Sequence, residues 1–347
     1  MASGAASAST TTVVHALADG TQMSGRAPSP PPGLYAAEWR GASNVAMGGF
    51  GGVGAAHVAR YAELGFLVVE DAFTRREVDG ALGAVELYCS EAETPFAAAA
   101  AACTRTTADA HNGHDGPGLQ FESAAAELPR GSRAAHVRKL KNWHEFDPRL
   151  QQLAAPGSAL RAVVRKLLFG CGAERGDLAT GAAAVGADAA EDPLEIFQST
   201  ALLKPPGGRE KPWHQDHAYF NVPLGASASG APTDVVGCWL ALDACDEGNG
   251  CMFVQPGVDK LAPAVHHQIR DWQMCDSAVA PRGTLAVPLQ PGSVLFFSSL
   301  LPHGTPPNAS ARRRRALQWH FCPRARARAP DEERQRVFGN AGKAVEC

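Results

Sequence analysis

From Leu194 onward the chain is divided into short apolar or alternating runs that turn-forming residues separate. β-Branched and aromatic residues are frequent in the runs, and the interruptions are rich in Gly, Pro, Asn and Asp, which turns require. Short strands at such regular intervals are typical of an antiparallel β sandwich or barrel. We therefore expect a mainly β protein with flanking helices, whose β core spans about residues 194–323. The runs are LEIFQSTALL, VVGCWLALDA, GCMFVQPG, TLAVPL, GSVLFFSSLL and RRALQWHFC.

The N-terminal third has a different periodicity, with apolar residues at helical spacing. Residues 53–65 (VGAAHVARYAELG) predict a helix that ends at a glycine, and residues 66–70 (FLVVE) predict a short strand. Thr74 and Glu77 form the S/T-x-x-E pattern of a capping box, which predicts the start of a second helix. Residues 158–170 predict another amphipathic helix that ends at a glycine.

Three segments have compositions that predict less order. Residues 1–45 are rich in Ala, Ser, Thr and Pro, and we expect a disordered leader there. Residues 96–118 are predicted to form a loop, a plausible lid, and residues 172–192 a low-complexity surface insertion. The remaining chain is expected to form a single catalytic domain at 46–330 and a C-terminal tail at 331–347.

Composition excludes several classes of function. The net charge is −3, which gives no general attraction to nucleic acid or to an anionic membrane. No apolar run approaches the roughly 20 residues that a bilayer span needs. The nine cysteines form no CxxC pair and are odd in number, which favours unpaired thiols in a reducing compartment. We expect a cytoplasmic protein with a small-molecule substrate, and the leader leaves organelle import open as an alternative.

The stretch WHQDHAYF (213–220) carries two histidines and a carboxylate. In an extended strand, residues i and i+2 point to the same side, so His214 and Asp216 are expected to project together. Such a pair is compatible with two ligands of a metal site, with a His–Asp catalytic couple, or with an ordinary polar pair on a strand edge. A third partner from elsewhere in the chain would distinguish these alternatives.

His303 is the best placed of the downstream histidines, because it follows the run GSVLFFSSLL at the start of the predicted turn HGTPPN. His217 is expected on the opposite strand face, and His266 and His267 in a polar loop. His320 continues the alternation of the last strand but has no neighbouring polar partner in the sequence. Two histidines and one carboxylate on one face form the facial triad of non-haem Fe(II) oxygenases, which leaves three coordination positions open.

A run of four arginines, residues 312–315, follows the predicted third ligand. A 2-oxoglutarate co-substrate would need a cation for its distal carboxylate, and the planar fork of Arg suits this role. In a strand, Arg312 and Arg314 share one face with Gln318, and the other two arginines share the opposite face. One pair is expected to face the cavity and the other solvent, where a solvated basic patch is the ordinary alternative.

Together these residues resemble the phytanoyl-CoA dioxygenase family. The resemblance rests on WHQDHAYF, on VVGCWLALDACDEGNGCMFVQPG and on HGTPPNASARRRRALQWHF, and it extends over about residues 55–325. It includes GFLVVEDAFTRREV, KLKNWHEFDP and FQSTALLKPPGG, and it departs at PGVDK (256–260), where members read PGSHK. The family implies a double-stranded β-helix core of the jelly-roll, cupin-like kind, with Fe(II), 2-oxoglutarate and O2 as cofactor and co-substrates.

The resemblance also implies roles for particular residues. His214, Asp216 and His303 would be the iron ligands and the catalytic residues, and Arg314 would anchor 2-oxoglutarate with help from Thr305. Trp239 and Gln198 would also line the co-substrate pocket, and a basic residue of the stretch RKLK (138–141), taken as Lys139, would contribute to it. Related halogenating enzymes lack the carboxylate, so its presence favours hydroxylation.

The activity implied is that of a 2-oxoglutarate-dependent dioxygenase that hydroxylates a small organic or acyl substrate and releases succinate and CO2. One alternative is a non-catalytic member of the same fold that binds iron or a small ligand as a sensor or scaffold. Another is a metal hydrolase or cupin-like isomerase, which would leave Arg314 without a role. Neither substrate identity nor oligomeric state follows from the sequence.

Overall fold

The computed structural model describes residues 14–16, 22–24, 29–37, 43–90, 92–102, 117–171, 192–225, 230, 233–257, 261–279, 283–324 and 330–339. The α-helices are α1 (Ala55–Leu64), α2 (Arg75–Cys89), α3 (Pro95–Ala102), α4 (Pro148–Gln151), α5 (Ala159–Phe169), α6 (Asp276–Val279) and α7 (Asp331–Phe338). The strands are β1 (Val14–Ala16), β2 (Gln22–Ser24), β3 (Val45–Ala46), β4 (Phe66–Val69), β5 (Gly118–Phe121), β6 (Val137–Lys141), β7 (Leu194–Lys204), β8 (Lys211–His214), β9 (Val236–Ala241), β10 (Met252–Val254), β11 (His266–Gln268), β12 (Trp272–Met274), β13 (Leu285–Val287), β14 (Val294–Ser298), β15 (His303–Thr305) and β16 (Arg314–Pro323).

Two sheets form the core. The larger has ten strands in the order β1-β2-β5-β6-β7-β16-β9-β14-β4-β3, and the smaller has four in the order β13-β10-β15-β8. Side chains from both sheets, such as Trp239 and Phe297 on one and Trp213 and Phe253 on the other, belong to one buried apolar cluster. The sheets therefore face each other as in a sandwich, and the expected mainly β class with flanking helices is confirmed.

The large sheet separates this interior from a second apolar cluster on its other face. That cluster combines Leu317, Trp319 and Phe321 of β16 with side chains of the helices, including Val78 of α2 and Leu167 of α5. Full burial of each such side chain stabilises the fold by about 1.5–3 kcal/mol. The helices therefore cover the outer face of the sheet and leave its inner face for the site.

The predicted helices of the N-terminal third are confirmed. Helix α1 ends at Gly65, whose φ of 82° is a left-handed conformation that glycine adopts without strain. The capping box opens α2: the Glu77 side chain accepts a hydrogen bond from the Thr74 backbone N–H at 2.7 Å, and Thr74 Oγ1 accepts one from Glu77 N–H at 3.4 Å. Local sequence signals alone are sufficient to place these elements.

Part of the expected disordered leader is ordered, so that expectation is wrong for residues 29–37. Leu34 is buried, and its carbonyl accepts a hydrogen bond from Trp213 Nε1 at 3.2 Å. Tyr35 stacks on the ring of Trp213 with 5.7 Å between the centroids. The proline run before them limits the backbone entropy lost on ordering, and the two large side chains supply the apolar contact. Strands β1 and β2 also lie within the expected leader.

Two other expectations for irregular segments are corrected. The predicted loop at 96–118 begins as helix α3, because its run of alanines favours helix even without an amphipathic pattern; Phe96 holds it against Tyr88. The expected C-terminal tail begins as helix α7, in which Phe338 is buried and Arg334 donates to the Ala218 carbonyl at 3.2 Å. The rest of the predicted loop, 103–116, and nearly all of the insertion at 172–192 lie outside the described residues.

None of the helices in the described part of the chain is both long enough and apolar enough to cross a membrane. The cytoplasmic location, and the domain limits other than those just corrected, stay predictions.

Gly237 of β9 tests the packing on the inner face of the large sheet, where Phe297 of β14 is its direct cross-strand partner. A Cβ at this position would lie 2.4 Å from the far end of the buried Phe297 ring, so alanine must displace the ring. We expect Gly237→Ala to lower the free energy of unfolding by about 1–3 kcal/mol, measured by urea denaturation. Gly118→Ala is the matched control, because nothing lies within 4 Å of its added Cβ. Equal stability of the two variants would contradict the packing described.

Candidate metal centre

Two strands of the small sheet bring two histidines together. His214 ends β8, His303 begins β15, and the two residues are direct partners in the antiparallel pairing of these strands. Because directly paired residues project on the same face, the two rings lie side by side, with 4.2 Å between their centroids. His303 therefore stands in a strand and not in the turn that the sequence predicted.

Asp216 reaches the same place by a different route from the one predicted. The strand ends at His214, and Asp216 is the first residue of a 3-10 helix, Asp216–Tyr219. Strand parity therefore explains neither its direction nor that of His217. The connecting Gln215 is fixed in position because its side-chain amide donates to the Ala262 and Leu300 carbonyls at 2.9 and 2.7 Å.

The three side chains converge on a common point. Asp216 Oδ1 lies 3.2 Å from His214 Nε2 and 3.6 Å from His303 Nε2. One donor atom from each residue lies within 4.8 Å of the others, and in the described part of the chain this group is the one that could hold a metal ion. It consists of the three residues that the sequence predicted.

Hydrogen bonds on the far side of each ring fix the orientation of the imidazoles. Nδ1 of His214 lies 2.8 Å from the Pro212 carbonyl, and Nδ1 of His303 lies 2.8 Å from the Leu301 carbonyl. A carbonyl only accepts, so each Nδ1 carries the proton and each Nε2 presents a lone pair towards the carboxylate. Such a backbone acceptor behind a ligating histidine is typical of metal sites.

Electrostatics favours a divalent cation at this point. Burial lowers the pKa of His214 to about 3 and also lowers the pKa of His303, so both rings are neutral near pH 7. Burial alone would raise the pKa of Asp216, but the neighbouring imidazoles of His303 and His320 hold it well below its ordinary value. Two lone pairs and an anionic oxygen then face each other with no proton between them, and a metal ion would remove this repulsion. The donor set fits Fe(II).

Arg314 lies on the inner face of the large sheet. The alternation of side chains along the strand had left open whether it would face inward or outward. It is 2% exposed, and its guanidinium lies over the ring of Trp239 at 5.4 Å. Nη1 donates to the Leu202 carbonyl at 3.2 Å, and Nε is buried without a partner in the described part of the chain. By contrast, Arg312 pairs with Asp246 at 2.5 Å at the surface.

Among the described residues, no carboxylate lies within ion-pair distance of the Arg314 guanidinium. A buried cation without an acid partner is costly, and a carboxylate ligand would compensate it. Arg314 is thus suited to a bound anion, since the described residues supply none.

Lys204 is a second buried basic residue, and the sequence analysis did not identify it. It is the direct partner of Arg314 in the pairing of β7 and β16. Its Nζ donates to Thr305 Oγ1 at 2.8 Å, to the Thr305 carbonyl at 3.2 Å and to the Pro306 carbonyl. Burial, followed by the charge of Arg314, lowers the pKa of Lys204 well below its usual value. A lysine at the end of an apolar strand, in ALLKPP, was the available signal.

Register places the other predicted residues on the same inner face. Trp239 pairs with Gln318, and Gln198 pairs with His320, whose side chain points to Asp216. Lys139 of β6 pairs with Leu202 of β7. Burial, then the charge of Lys211, lowers the pKa of Lys139 well below its usual value. Their roles in binding a co-substrate stay predictions.

Two of the expectations for the remaining histidines are wrong. His320 does have a polar partner, because its Nε2 lies 2.7 Å from Asp216 Oδ2. His266 and His267 lie in strand β11 and not in a loop. His217 turns away from the triad, with Nδ1 2.9 Å from Ser299 Oγ and Nε2 2.9 Å from the Val222 carbonyl.

Comparison with known proteins gives a consistent result. Residues 61–316 match the family model for phytanoyl-CoA dioxygenase. A methylphosphonate hydroxylase of Gimesia maris is 31% identical over 128 residues, which are 36% of this chain and 44% of that protein. The peroxisomal phytanoyl-CoA dioxygenase of Homo sapiens is 28% identical over 147 residues, 37% of this chain and 39% of that protein. These alignments cover less than half the length of the curated relatives.

Solved structures show the same architecture. EvdO2 from Micromonospora carbonacea, complexed with 2-oxoglutarate, superposes with a TM-score of 0.53 at 22% identity over 82% of this chain and 97% of that chain. EctD from S. alaskensis, with 2-oxoglutarate and 5-hydroxyectoine, gives 0.51 at 20% identity over 86% and 82%. These likenesses confirm the expected double-stranded β-helix with flanking helices.

The convergence of His214, Asp216 and His303 leads to a prediction about metal affinity. His303→Ala and Asp216→Ala should each weaken Co(II) binding by more than about 100-fold, because loss of outer hydrogen bonds alone typically costs 10–100-fold. The affinity is measured by anaerobic calorimetry with Co(II) as the probe. His217→Gln should bind Co(II) like the unaltered protein, since its ring contacts Ser299 and not the triad. Tight binding by His303→Ala would show that the site lies elsewhere.

Proposed function

Because the chain belongs to the phytanoyl-CoA dioxygenase family, we propose that it is an Fe(II)- and 2-oxoglutarate-dependent dioxygenase. Its reaction would hydroxylate a small organic or acyl substrate and yield succinate and CO2. The observation that carries the proposal is a three-ligand metal group in the interior, together with a buried guanidinium on the inner face of the large sheet that has no acid partner among the described residues. When bound, Fe(II) and 2-oxoglutarate would supply the oxidative chemistry.

In this proposal His214, Asp216 and His303 hold the metal through Nε2, Oδ1 and Nε2. The two imidazoles are neutral and the carboxylate offsets one of the two positive charges of the metal. Three ligands on one face leave three positions for a chelating oxo acid and for dioxygen. The protein contributes three ligands that are held in a buried site.

Arg314 would bind the distal carboxylate of 2-oxoglutarate through its planar fork. The hydroxyl of Thr305 accepts a hydrogen bond from Lys204 Nζ, so its own proton is free to be donated to the same carboxylate. Lys204 also adds a second basic group near the anchor; burial disfavours its charged form, and an anionic ligand would favour that form. The Trp239 ring under the guanidinium would limit its movement.

The substrate would approach past a polar group beside the metal centre. Lys211 Nζ donates to Asp271 Oδ2 at 2.9 Å and to the Tyr219 hydroxyl at 2.8 Å, and the Tyr219 ring contacts His214 edge-on. Lys211 keeps 19% of its side-chain surface exposed. Among the relatives, one is named a methylphosphonate hydroxylase and others phytanoyl-CoA dioxygenases, so both a small polar and an acyl substrate are compatible with this group.

The two alternatives account for less. A metal hydrolase or isomerase needs the three ligands but gives no reason for a buried Arg314 that has no carboxylate partner among the described residues. A non-catalytic sensor would use both features and differs only in lacking turnover. Uncoupled conversion of 2-oxoglutarate to succinate by the Fe(II)-loaded protein therefore separates the dioxygenase from the sensor.

The role proposed for Arg314 leads to a prediction about the affinity for 2-oxoglutarate. Arg314→Gln should weaken 2-oxoglutarate binding by roughly 100-fold or more, since two charge-assisted hydrogen bonds are lost. Arg314→Lys should be intermediate, because the charge stays and the fork is lost. Binding is followed anaerobically through the visible charge-transfer band of the Fe(II)–2-oxoglutarate chelate.

Arg312→Gln is the matched control, because Arg312 is a neighbouring arginine that pairs with Asp246 at the surface. It should give the same band at the same 2-oxoglutarate concentration as the unaltered protein. An unaltered protein that binds Fe(II) but forms no band would rule out the proposed function. Equal affinities in Arg314→Gln and Arg312→Gln would rule out this anchor.

Turnover gives a separate prediction. The Fe(II)-loaded protein should release succinate slowly from 2-oxoglutarate in air without added substrate, and faster with a true substrate. Asp216→Ala should reduce release to the background of free Fe(II), because no metal is held beside the anchor. The measurement is succinate by chromatography. Binding of both ligands with no succinate above background would favour the non-catalytic alternative.

A further inference from the structure

We propose that His320 and Gln318 are positioning residues that restrict Asp216 to binding the metal through one oxygen. The inference rests on the proposed function, since it assumes that Asp216 is a metal ligand. Both residues lie on β16 beyond Arg314 and point to the same face, so one strand would supply the anchor for 2-oxoglutarate and the support for the metal ligand.

The two oxygens of Asp216 have separate partners. Oδ1 faces the two ligand histidines, at 3.2 Å from His214 Nε2 and 3.6 Å from His303 Nε2. Oδ2 faces away from them, 2.7 Å from His320 Nε2 and 3.1 Å from Gln318 Nε2. A carboxylate only accepts, so both of these nitrogens donate to Oδ2. Two donors on one oxygen fix the rotation of the carboxylate about its Cβ–Cγ bond.

The support itself is rigid. Strand β16 lies between β7 and β9, and His320 pairs with Gln198 on one side and Gly237 on the other. The His320 ring contacts the rings of Phe220 at 4.7 Å and Phe197 at 5.9 Å between centroids. Asp216, Gln318 and His320 are all buried, and the low local dielectric of a protein interior strengthens both hydrogen bonds.

An unpaired atom also points to this role. His320 Nδ1 is buried and has no hydrogen-bond partner among the described residues. Leaving such an atom unpaired costs about 1–3 kcal/mol, so a purely structural position would favour an apolar side chain. The contact of Nε2 with Asp216 is the one polar contact that the ring makes with a predicted ligand, and it gives a reason for a histidine here.

The consequence concerns the number of open coordination positions. A carboxylate that turned Oδ2 towards the metal would occupy a fourth position of an octahedral ion. Only two positions would then remain for a bidentate oxo acid and dioxygen together, although three are needed. With Oδ2 held by two donors, Asp216 contributes Oδ1 alone and the third position stays open.

The test compares His320→Leu and Gln318→Met with the unaltered protein, using Co(II) and 2-oxoglutarate as probes. Each variant should bind Co(II) about 10–100-fold more weakly, as expected for loss of an outer partner of a ligand. At saturating Fe(II), each should also need more 2-oxoglutarate to form the charge-transfer band, and the band should shift in energy. His320→Gln should recover part of both properties, because its amide can donate to Oδ2.

Trp319→Phe is the matched control for general loss of packing. Trp319 stands between the two residues on the same strand but faces the helices, where its ring contacts Trp143 at 5.3 Å. This variant should lower stability without changing Co(II) affinity or the band. If His320→Leu does not fold, Gln318→Met decides the question on the same measurements.

The outcomes are distinguishable from failure of the proposed function. If the unaltered protein binds Co(II) but forms no band with Fe(II) and 2-oxoglutarate, the proposed function fails, and the Co(II) affinities of the variants still decide whether Asp216 is supported as proposed. If folded His320→Leu and Gln318→Met match the unaltered protein in Co(II) affinity, 2-oxoglutarate affinity and band energy, the inference is wrong.

Discussion

The rest of the site depends on the alternation of side chains along β16, the strand at the centre of the large sheet. Its odd-numbered residues Leu317, Trp319 and Phe321 belong to the apolar cluster beneath the helices. Its even-numbered residues Arg314, Gln318 and His320 face the opposite way, towards Asp216 and Lys204. The first set supplies the burial that holds the strand in place, and that fixed strand can then carry polar groups on its inner face. A shift of the register by one residue would exchange the two sets and remove both the core and the site.

The inner face contains charges that a stable fold would not by itself favour. Arg314 and Lys204 are both buried, and burial lowers the pKa of each. Asp216 stays ionised because histidines surround it. Each ligand of the proposed reaction would offset part of this cost: a divalent ion for the carboxylate and lone pairs, and a dicarboxylate for the two cations. The site is therefore arranged for ligands that bind together, and binding of both should stabilise the folded state by mass action.

The sequence was sufficient to select site residues that stand in short motifs. It was insufficient for residues whose role depends on the pairing of strands far apart in the chain. His214, Asp216, His303 and Arg314 could be selected from motifs, although Asp216 projects from a 3-10 helix and not from the predicted strand. Lys204 was missed because its position beside Arg314 results from the pairing of two strands that are far apart in the chain.

The orientation of His320 could have been predicted, since the alternation that places Arg314 and Gln318 on one face of the strand extends two residues further. The sequence could not show that Asp216 would lie opposite it, so His320 was judged to lack a polar partner. The alanine run of α3 was missed for another reason: a helix made almost entirely of alanine has no apolar stripe to detect. These errors share one origin, since each required knowledge of what packs against the segment.

The segment that carries two of the proposed ligands is held from both ends of the described chain. On its N-terminal side, Trp213 donates to the Leu34 carbonyl and stacks on Tyr35. On its C-terminal side, Arg334 donates to the Ala218 carbonyl at 3.2 Å, and the Phe338 ring lies 5.8 Å from that of His217. The partners in these contacts, Leu34, Tyr35, Arg334 and Phe338, lie outside residues 61–316, the part that matches the family. The matched region therefore contains the ligands and the anchor, while the flanking segments contribute to the position of the 3-10 helix that presents Asp216. Because a misplacement of about 1 Å at a reacting centre can cost 100-fold in rate, these flanking contacts belong to the functional unit as much as the motifs do.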